Sequence, residues 1–240
     1  LKKIHNGLLM GVNSQDLLQQ QILWYGFYEK KYVMTWERLI EKNSIILDIG
    51  ANIGYYSLVA AGKAVNGHVY AFEPSSESYD QLQRNIAVNK LANITAFKRA
   101  VFNSSEERTL FISEKTNIGM GGLSTPVNFS GETEQVETIQ IDQWIEMQKI
   151  NKIDFIKIDI EGAEYDALKG MRKLLEKYRP TIFVEIFDPL LLRFGHNHLD
   201  VYQLLNDLDY QAFDVDEKGE LVPLKAPRQD ELIIFRHNTI

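Results

Sequence analysis

Three short stretches of the chain combine carboxylates, glycines and amides in patterns suited to binding a small molecule and moving a proton on it. The first is Leu47-Asp-Ile-Gly-Ala-Asn-Ile-Gly-Tyr55, which follows an apolar run and opens a helical pattern. Gly50, Asn52 and Gly54 stand at alternate positions of this turn. Glycine lets the backbone take positive φ and approach a ligand closely, and asparagine is the next most tolerant residue there. The helix that follows offers free N–H groups and a partial positive end. The second is Glu73, at the end of the next apolar run, where an acid can accept both hydroxyls of a ribose. Pro74 then turns the chain away, and Ser75 or Ser76 can cap the helix beyond.

The third stretch, Phe155-Ile-Lys-Ile-Asp-Ile-Glu-Gly-Ala-Glu164, gathers Lys157, Asp159, Glu161 and Glu164 around another strand end. Asp159 faces the same crevice as Gly50 and can orient an amino-acid moiety, receive a proton or help hold a metal. Glu161 and Glu164 have a plainer alternative, since acids at a helix N-terminus are favoured by its dipole. Glu185 ends the following strand and lines the crevice as well. Asp159 and Glu185 as a carboxylate pair can hold a divalent cation, but no third oxygen ligand can be named, so no metal is expected. His196 and His198 follow in a loop and are further candidates for a general base, although a loop histidine is more often simply solvated. Tyr55, Tyr56 and the segment Gly119 to Ser124 are candidates for the pocket wall, with core packing the competing role for Tyr55.

The ligand follows from charge and shape. A dinucleotide turn in the frame G-x-G-x-x-G places Gly50, Asn52 and Tyr55, with a tyrosine where close packing wants glycine. Asp48 repels a pyrophosphate but attracts the ammonium of an amino acid. S-adenosylmethionine carries that ammonium, a ribose and no phosphate, and it is the cofactor these residues suit. The cofactor site is therefore expected to comprise Asp48, Gly50, Asn52, Gly54, Tyr55, Glu73 and Asp159, and the catalytic acids and bases to come from Asp159, Glu161, Glu185 and His196.

These residues need a scaffold that brings strand ends together. Five apolar runs meet that need: Ser44 to Asp48, His68 to Glu73, Ile94 to about Ala100, Asp154 to Asp159 and Thr181 to Glu185, with Tyr210 to Asp214 and Leu232 to Arg236 as two more strands. Between them lie amphipathic helices: Tyr79, Leu82 and Ile86 share one face, Leu168, Met171, Leu174 and Leu175 another, and Val201, Leu204, Leu205 and Leu208 a third. Such alternation predicts a mostly parallel seven-stranded sheet covered by helices on both faces. The alternation lapses between Arg108 and Glu137, which reads as a hairpin or loop excursion. Asp16 to Glu41 reads as helical, broken at Gly26, and packs as a lid or collar. With no linker or repeat in view, residues 1–240 are expected to form one domain, a helical extension over 1–42 and a core over 43–240.

Bulk composition narrows the partners. The chain has 240 residues, with 26 Lys plus Arg against 33 Asp plus Glu and a formal net charge of −7. That balance disfavours nucleic acid, whose phosphates require a basic face. There is no cysteine, which removes disulfides, thiolate metal sites and a cysteine nucleophile. No apolar run reaches the roughly 20 residues of a membrane span, and the start lacks the apolar segment of a signal peptide. These features favour a cytoplasmic protein without membrane partners and leave room for a homo-oligomer. The chain begins with Leu1, so residues before it are expected to be missing.

Leu47 to Ser57, Ala71-Phe-Glu-Pro74 and Asp154 to Glu164 together resemble the FkbM-type methyltransferases, and Val136 to Asp142 resembles that family's lead-in to the fourth strand. The likeness runs from about Ile45 to Asp188. It implies a class I methyltransferase with a Rossmann-like fold, S-adenosylmethionine as cofactor, and O-methylation of a hydroxyl on a sugar, glycan or secondary metabolite. Cofactor roles carry onto Asp48, Gly50, Asn52, Gly54, Glu73 and Asp159. Residues before Ile45 and after Asp188 match nothing in the family and would select the small-molecule or carbohydrate acceptor. Two other functions fit the same architecture: an NAD(P)-dependent oxidoreductase, which needs a phosphate-cradling turn, and a non-catalytic module that keeps only the cofactor.

Overall fold

A computed structural model describes residues 1–112, 121–126, 129–229 and 231–239. Its centre is an eight-stranded sheet in the order β12-β11-β13-β10-β9-β3-β4-β5. Strands β3 (Ile45–Ile49), β4 (His68–Phe72), β5 (Ile94–Phe97), β9 (Phe155–Ile158) and β10 (Thr181–Ile186) pair in parallel. Strands β11 (Tyr210–Val215), β12 (Leu221–Pro223) and β13 (Glu231–His237) extend one edge in antiparallel fashion. This is the Rossmann-like α/β arrangement anticipated, with one strand more than the seven expected. The extra strand arises where Gly219, at φ 82°, reverses the chain and Asp216 accepts from the N–H groups of Lys218 and Glu220. That turn folds Leu221–Pro223 back onto β11.

Successive side chains of a strand point to opposite faces, and each face has its own core. On one side, Leu47, Ile49, Ile156, Ile158, Ile182 and Val184 pack under α5 (Ile141–Gln148), α6 (Glu164–Gly170), α7 (Arg172–Tyr178) and α9 (His198–Asn206). On the other, Ile46, Val69, Phe155, Phe183 and Ile234 pack under α2 (Lys30–Leu39), α3 (Tyr55–Lys63) and Leu82 of α4 (Ser76–Val88). Trp36 of α2 is fully buried, and its ring meets Tyr56, Phe155 and Phe183 edge-on at 5.0–6.0 Å.

The segment before the sheet is not helical throughout. Residues Lys2–Lys3 (β1) and Leu9–Met10 (β2) pair as a ribbon before α1 (Leu17–Tyr25), and Gly26 at φ 74° closes that helix as its sequence position suggested. The excursion after Arg108 is a hairpin. β7 (Glu107–Phe111) pairs with β8 (Thr133–Ile139), which also pairs with β6 (Ala100–Val101). Of the wall residues expected between Gly119 and Ser124, Gly119 and Met120 lie outside the described residues. Among the described residues, no helix is long and apolar enough to cross a membrane.

Candidate active site

The carboxyl ends of β3, β4, β9 and β10 open into one cavity of about 360 Å³, within the range of small-molecule sites. Gly50, Asn52, Glu73, Asp159, Glu161 and Glu185 all line it. These expected site residues, spread over more than a hundred positions of sequence, therefore meet in space.

The turn after β3 is built from hydrogen bonds that consume its own donors. The N–H groups of Gly50 and Ala51 both donate to the Phe72 carbonyl, at 2.9 and 3.0 Å. Asn52 N–H donates to Glu73 Oε2 at 2.8 Å, and Gly54 N–H to the Ala51 carbonyl at 2.8 Å. A phosphate would require such N–H groups free, so this turn is not a phosphate cradle, and the dinucleotide reading loses its structural basis. Asn52 takes φ 49°, and its side-chain Oδ1 is buried with no hydrogen-bond partner in the protein. That orphaned acceptor at the cavity wall is suited to a donor on a ligand.

Glu73 is clamped from two sides, by Asn52 N–H at Oε2 and Ser75 N–H at Oε1 (2.9 Å). Burial nevertheless outweighs these bonds and raises its pKa to about 7. A carboxylate fixed in this way is prepared to accept hydroxyl donors without reorganising.

At the ends of β9 and β10, Ile158 pairs with Val184, so Asp159 and Glu185 come next on adjacent strands. They continue the strand parity of Phe155 and Phe183, toward the α2–α3 side. Lys157 lies on that same parity, nearly fully buried, and its ammonium donates to Asp159 Oδ2 at 2.9 Å. Burial works against the Lys157 charge, but the carboxylates of Asp159 and Asp48 outweigh it and hold its pKa above the ordinary lysine value. Glu161 adopts φ 58°, and burial, with Asp159 and Glu164 beside it, raises its pKa to about 8. The Asp159 carboxylate, burial and Glu161 push Glu185 well above the usual carboxylate range. Glu164 Oε1 accepts from the N–H groups of Ile160 and Gly162, at 3.0 and 3.1 Å. Its role is to shape the turn that carries Glu161.

Four expected site residues and His198 stand away from the cavity wall. Asp48 is fully buried beneath the turn, where Ser57 Oγ donates to its Oδ2 at 2.5 Å. It pairs in register with Lys157, whose charge it supports, and does not itself line the cavity. Gly54, at φ 92°, caps α3, and a β-carbon there would lie 2.4 Å from Leu82 Cδ1, so its glycine serves helix packing. Tyr55 is 4% exposed, with its hydroxyl 3.2 Å from His5 Nδ1. His196 lies against Tyr165 with ring centres 4.1 Å apart and its Nε2 3.7 Å from Asp166. His198 Nδ1 is 2.7 Å from Asp188 Oδ2 at the start of α9.

Other wall residues carry no local signal in the sequence. Leu17, Leu18 and Gln21 of α1, Tyr28 and Phe187 line the cavity, beside Gly121, Gly122 and Leu123 of the segment already named as candidate wall. Next to Tyr28, Glu29 takes φ 47° and accepts the Tyr56 hydroxyl at 2.8 Å. Burial and Asp159 raise the pKa of Glu29. The reading of Asp16 to Glu41 as a lid or collar broken at Gly26 is the sequence hint that chain before the sheet turns toward the site.

The Methyltransferase FkbM domain matches residues 48–212 of the chain, so the likeness reaches beyond Asp188, where the sequence motifs alone ended it. The chain belongs to the FkbM methyltransferase family. The hexuronic acid methyltransferase AglP of Haloferax volcanii is 27% identical over 167 residues, which span 70% of this chain and 63% of that protein. Methyltransferase sdnD of Sordaria araneosa is 27% identical over 225 residues, 80% of this chain and 84% of its own. A methyltransferase FkbM from Methylobacillus flagellatus superposes with a TM-score of 0.52 at 20% identity, over 82% of this chain and 44% of that one. The chain thus spans less than two thirds of AglP and less than half of the Methylobacillus protein. The structural likeness speaks to the fold alone. S-adenosylmethionine is the methyl donor of this FkbM domain, and the residues present suit it. Glu73 matches a ribose diol, the orphaned Asn52 Oδ1 matches a donor, and the acids beside Gly50 match a cation.

Proposed function

We propose that the protein transfers a methyl group from S-adenosylmethionine to a hydroxyl of a sugar, glycan or secondary metabolite. The observation that carries this reading is the convergence of the Gly50–Asn52 turn, Glu73 and the Asp159–Glu161–Glu185 acids on a single cavity. AglP, a hexuronic acid methyltransferase, bears a name in keeping with a carbohydrate acceptor, and NoeI of Sinorhizobium fredii, a 2-O-methyltransferase 26% identical over 164 residues (62% of this chain, 66% of that protein), one in keeping with transfer to oxygen.

Glu73 receives the ribose hydroxyls, and Asn52 and Asp159 hold the amino-acid end. When bound, the cofactor supplies an electrophilic methyl group: the acceptor oxygen bonds to that carbon as the carbon–sulfur bond breaks, the electron pair stays on sulfur, and the hydroxyl proton must leave. The chain's tasks are alignment, exclusion of water and removal of that proton. Alignment of two bound reactants can contribute about 7–11 kcal/mol. Glu161 and Glu185 are the bases: both line the cavity, and the pKa of about 8 at Glu161 lies near the working pH, where a base is most effective. His196 is not needed for this role, and no metal is invoked. The acceptor enters between α1, Tyr28 and Phe187. We assign the reaction to the cytoplasm, and the net charge of −7 disfavours nucleic acid as a partner.

Incubation with radiolabelled S-adenosylmethionine and a panel of neutral, amino and uronic saccharides tests the reading. Label recovered as an alkali-stable methyl ether supports it. Calorimetry showing no affinity for the cofactor would remove its basis.

A further inference from the structure

The carboxylates at the ends of β9 and β10 outnumber their compensating charges. Asp159, Glu161 and Glu185 line the cavity, and Glu29 approaches from the α2 side through Tyr56. Facing them from β9 is the Lys157 ammonium, bonded to Asp159 and shared with buried Asp48. Arg193 lends a weaker positive influence to Glu161. Glu164 adds another acid behind Glu161, and the Tyr28 hydroxyl stands among the same carboxylates. Glu73 lies across the cavity with its charge held by backbone N–H groups. The cavity end is therefore short of positive charge.

Resting on the cofactor assigned above, we propose that Asp159, Glu161 and Glu185 form a charge-reading end of the cavity. It distinguishes the sulfonium cofactor from its thioether product and releases more proton when the sulfonium is present. Like charges crowded at one end of a cavity cannot all ionise. In the ligand-free protein Glu161 and Glu185 hold protons, in keeping with their raised pKa values, while the Asp159 carboxylate is paired with the Lys157 ammonium. A cation entering the cavity favours the ionised forms, so loading expels a proton and leaves a bare carboxylate beside the acceptor. The general base is thus generated by cofactor binding. When the methyl group has moved, the sulfur is neutral, the acceptor's proton sits on that carboxylate, and the protonated site no longer favours the product over fresh cofactor.

The sign of the pH dependence follows. Between the lowered pKa of the loaded site and the free-site value, raised by burial and neighbouring acids to about 8 for Glu161, cofactor affinity rises with pH. For one proton released the gain is about tenfold per pH unit, and it levels off above the free-site value. The demethylated product, S-adenosylhomocysteine, lacks the sulfonium and gains less.

The test is isothermal titration of the whole chain with S-adenosylmethionine and with S-adenosylhomocysteine, from pH 6 to 9, in two buffers of different ionisation heat. The expected result is a larger proton release for the sulfonium, and an affinity ratio that climbs toward tenfold per pH unit below pH 8. Glu161→Gln or Glu185→Gln should abolish the extra proton, with circular dichroism confirming the fold. Equal proton release for both ligands in the wild-type protein overturns the proposal while leaving the cofactor assignment standing. An extra proton that survives in both variants overturns the residues assigned. If neither ligand binds at any pH, the cofactor assignment itself fails, and the proposal with it.

Discussion

Gly50 and Asp159 are so closely apposed that a β-carbon on Gly50 would sit 1.8 Å from the Asp159 carbonyl oxygen. The turn after β3 thus rests directly on the end of β9, and with φ 78° at Gly50 no other residue fits. Gly50→Ala must push the two strand ends apart. The expected outcome is loss of cofactor affinity of at least tenfold and a stability loss of roughly 1–3 kcal/mol for the strained backbone alone, measured by calorimetry and thermal unfolding. An alanine variant with wild-type affinity would mean that the turn takes no part in binding.

Glu73 sets function against stability. Its pKa is raised by burial to about 7 from an ordinary 4.5, so its contribution is most favourable when protonated. Stability from this group is complete below the unfolded-state value and is lost as pH rises through about 7. Glu73→Gln removes that loss. We expect the variant to melt at a higher temperature than wild type at pH 8, to match it near pH 4, and to bind cofactor more weakly at both. The full shift corresponds to about 3 kcal/mol, an upper limit. A melting difference that does not vary with pH would show that the carboxyl is not buried as described.

Much of this was legible in the sequence, for identifiable reasons. Gly50, Asn52, Glu73 and Asp159 sit at strand ends, and apolar runs of strand length reveal where strands end. Packing roles were not legible. Gly54 and Tyr55 occupy positions as suggestive as Gly50, but what they touch is Leu82 and His5, residues brought there by other elements. Asp48 shares the parity of Asp159 but pairs with Lys157, two residues short of that strand end, where Ser57 donates to it. His196 looked available as a loop histidine, yet α6 supplies Tyr165 and Asp166 against it. Tyr28 and Glu29 reach the site only because Trp36 anchors α2 on Phe155 and Phe183, a tertiary contact no local pattern encodes.

That anchoring bears on domain organisation. Trp36 is wholly buried against the sheet, so the segment before β3 is expected to be part of the folding unit and not a detachable collar. Trp36→Ala should cost about 3–5 kcal/mol in chemical denaturation. Deletion of residues 1–42 should yield a chain that binds a hydrophobic dye and unfolds without a cooperative transition. A truncated chain that unfolds cooperatively would establish the sheet as a separate domain.

Lys157 offers the sharpest electrostatic test. Its ammonium is buried among Asp48, Asp159 and Glu29, and replacing it with methionine keeps most of its length while leaving those acids without a counter-charge. Removing one partner of a buried ionic cluster costs about 3–5 kcal/mol, because the remaining charges are stranded. The stranded acids escape by taking up protons, so the loss should shrink as pH falls. Lys157→Met should therefore be severely destabilised at pH 8 and much less so at pH 5, the reverse of ordinary acid denaturation. Denaturant midpoints at the two pH values measure this. A penalty equal at both would mean that Lys157 acts by packing, and the charge balance on which the cavity's chemistry depends would have to be redrawn.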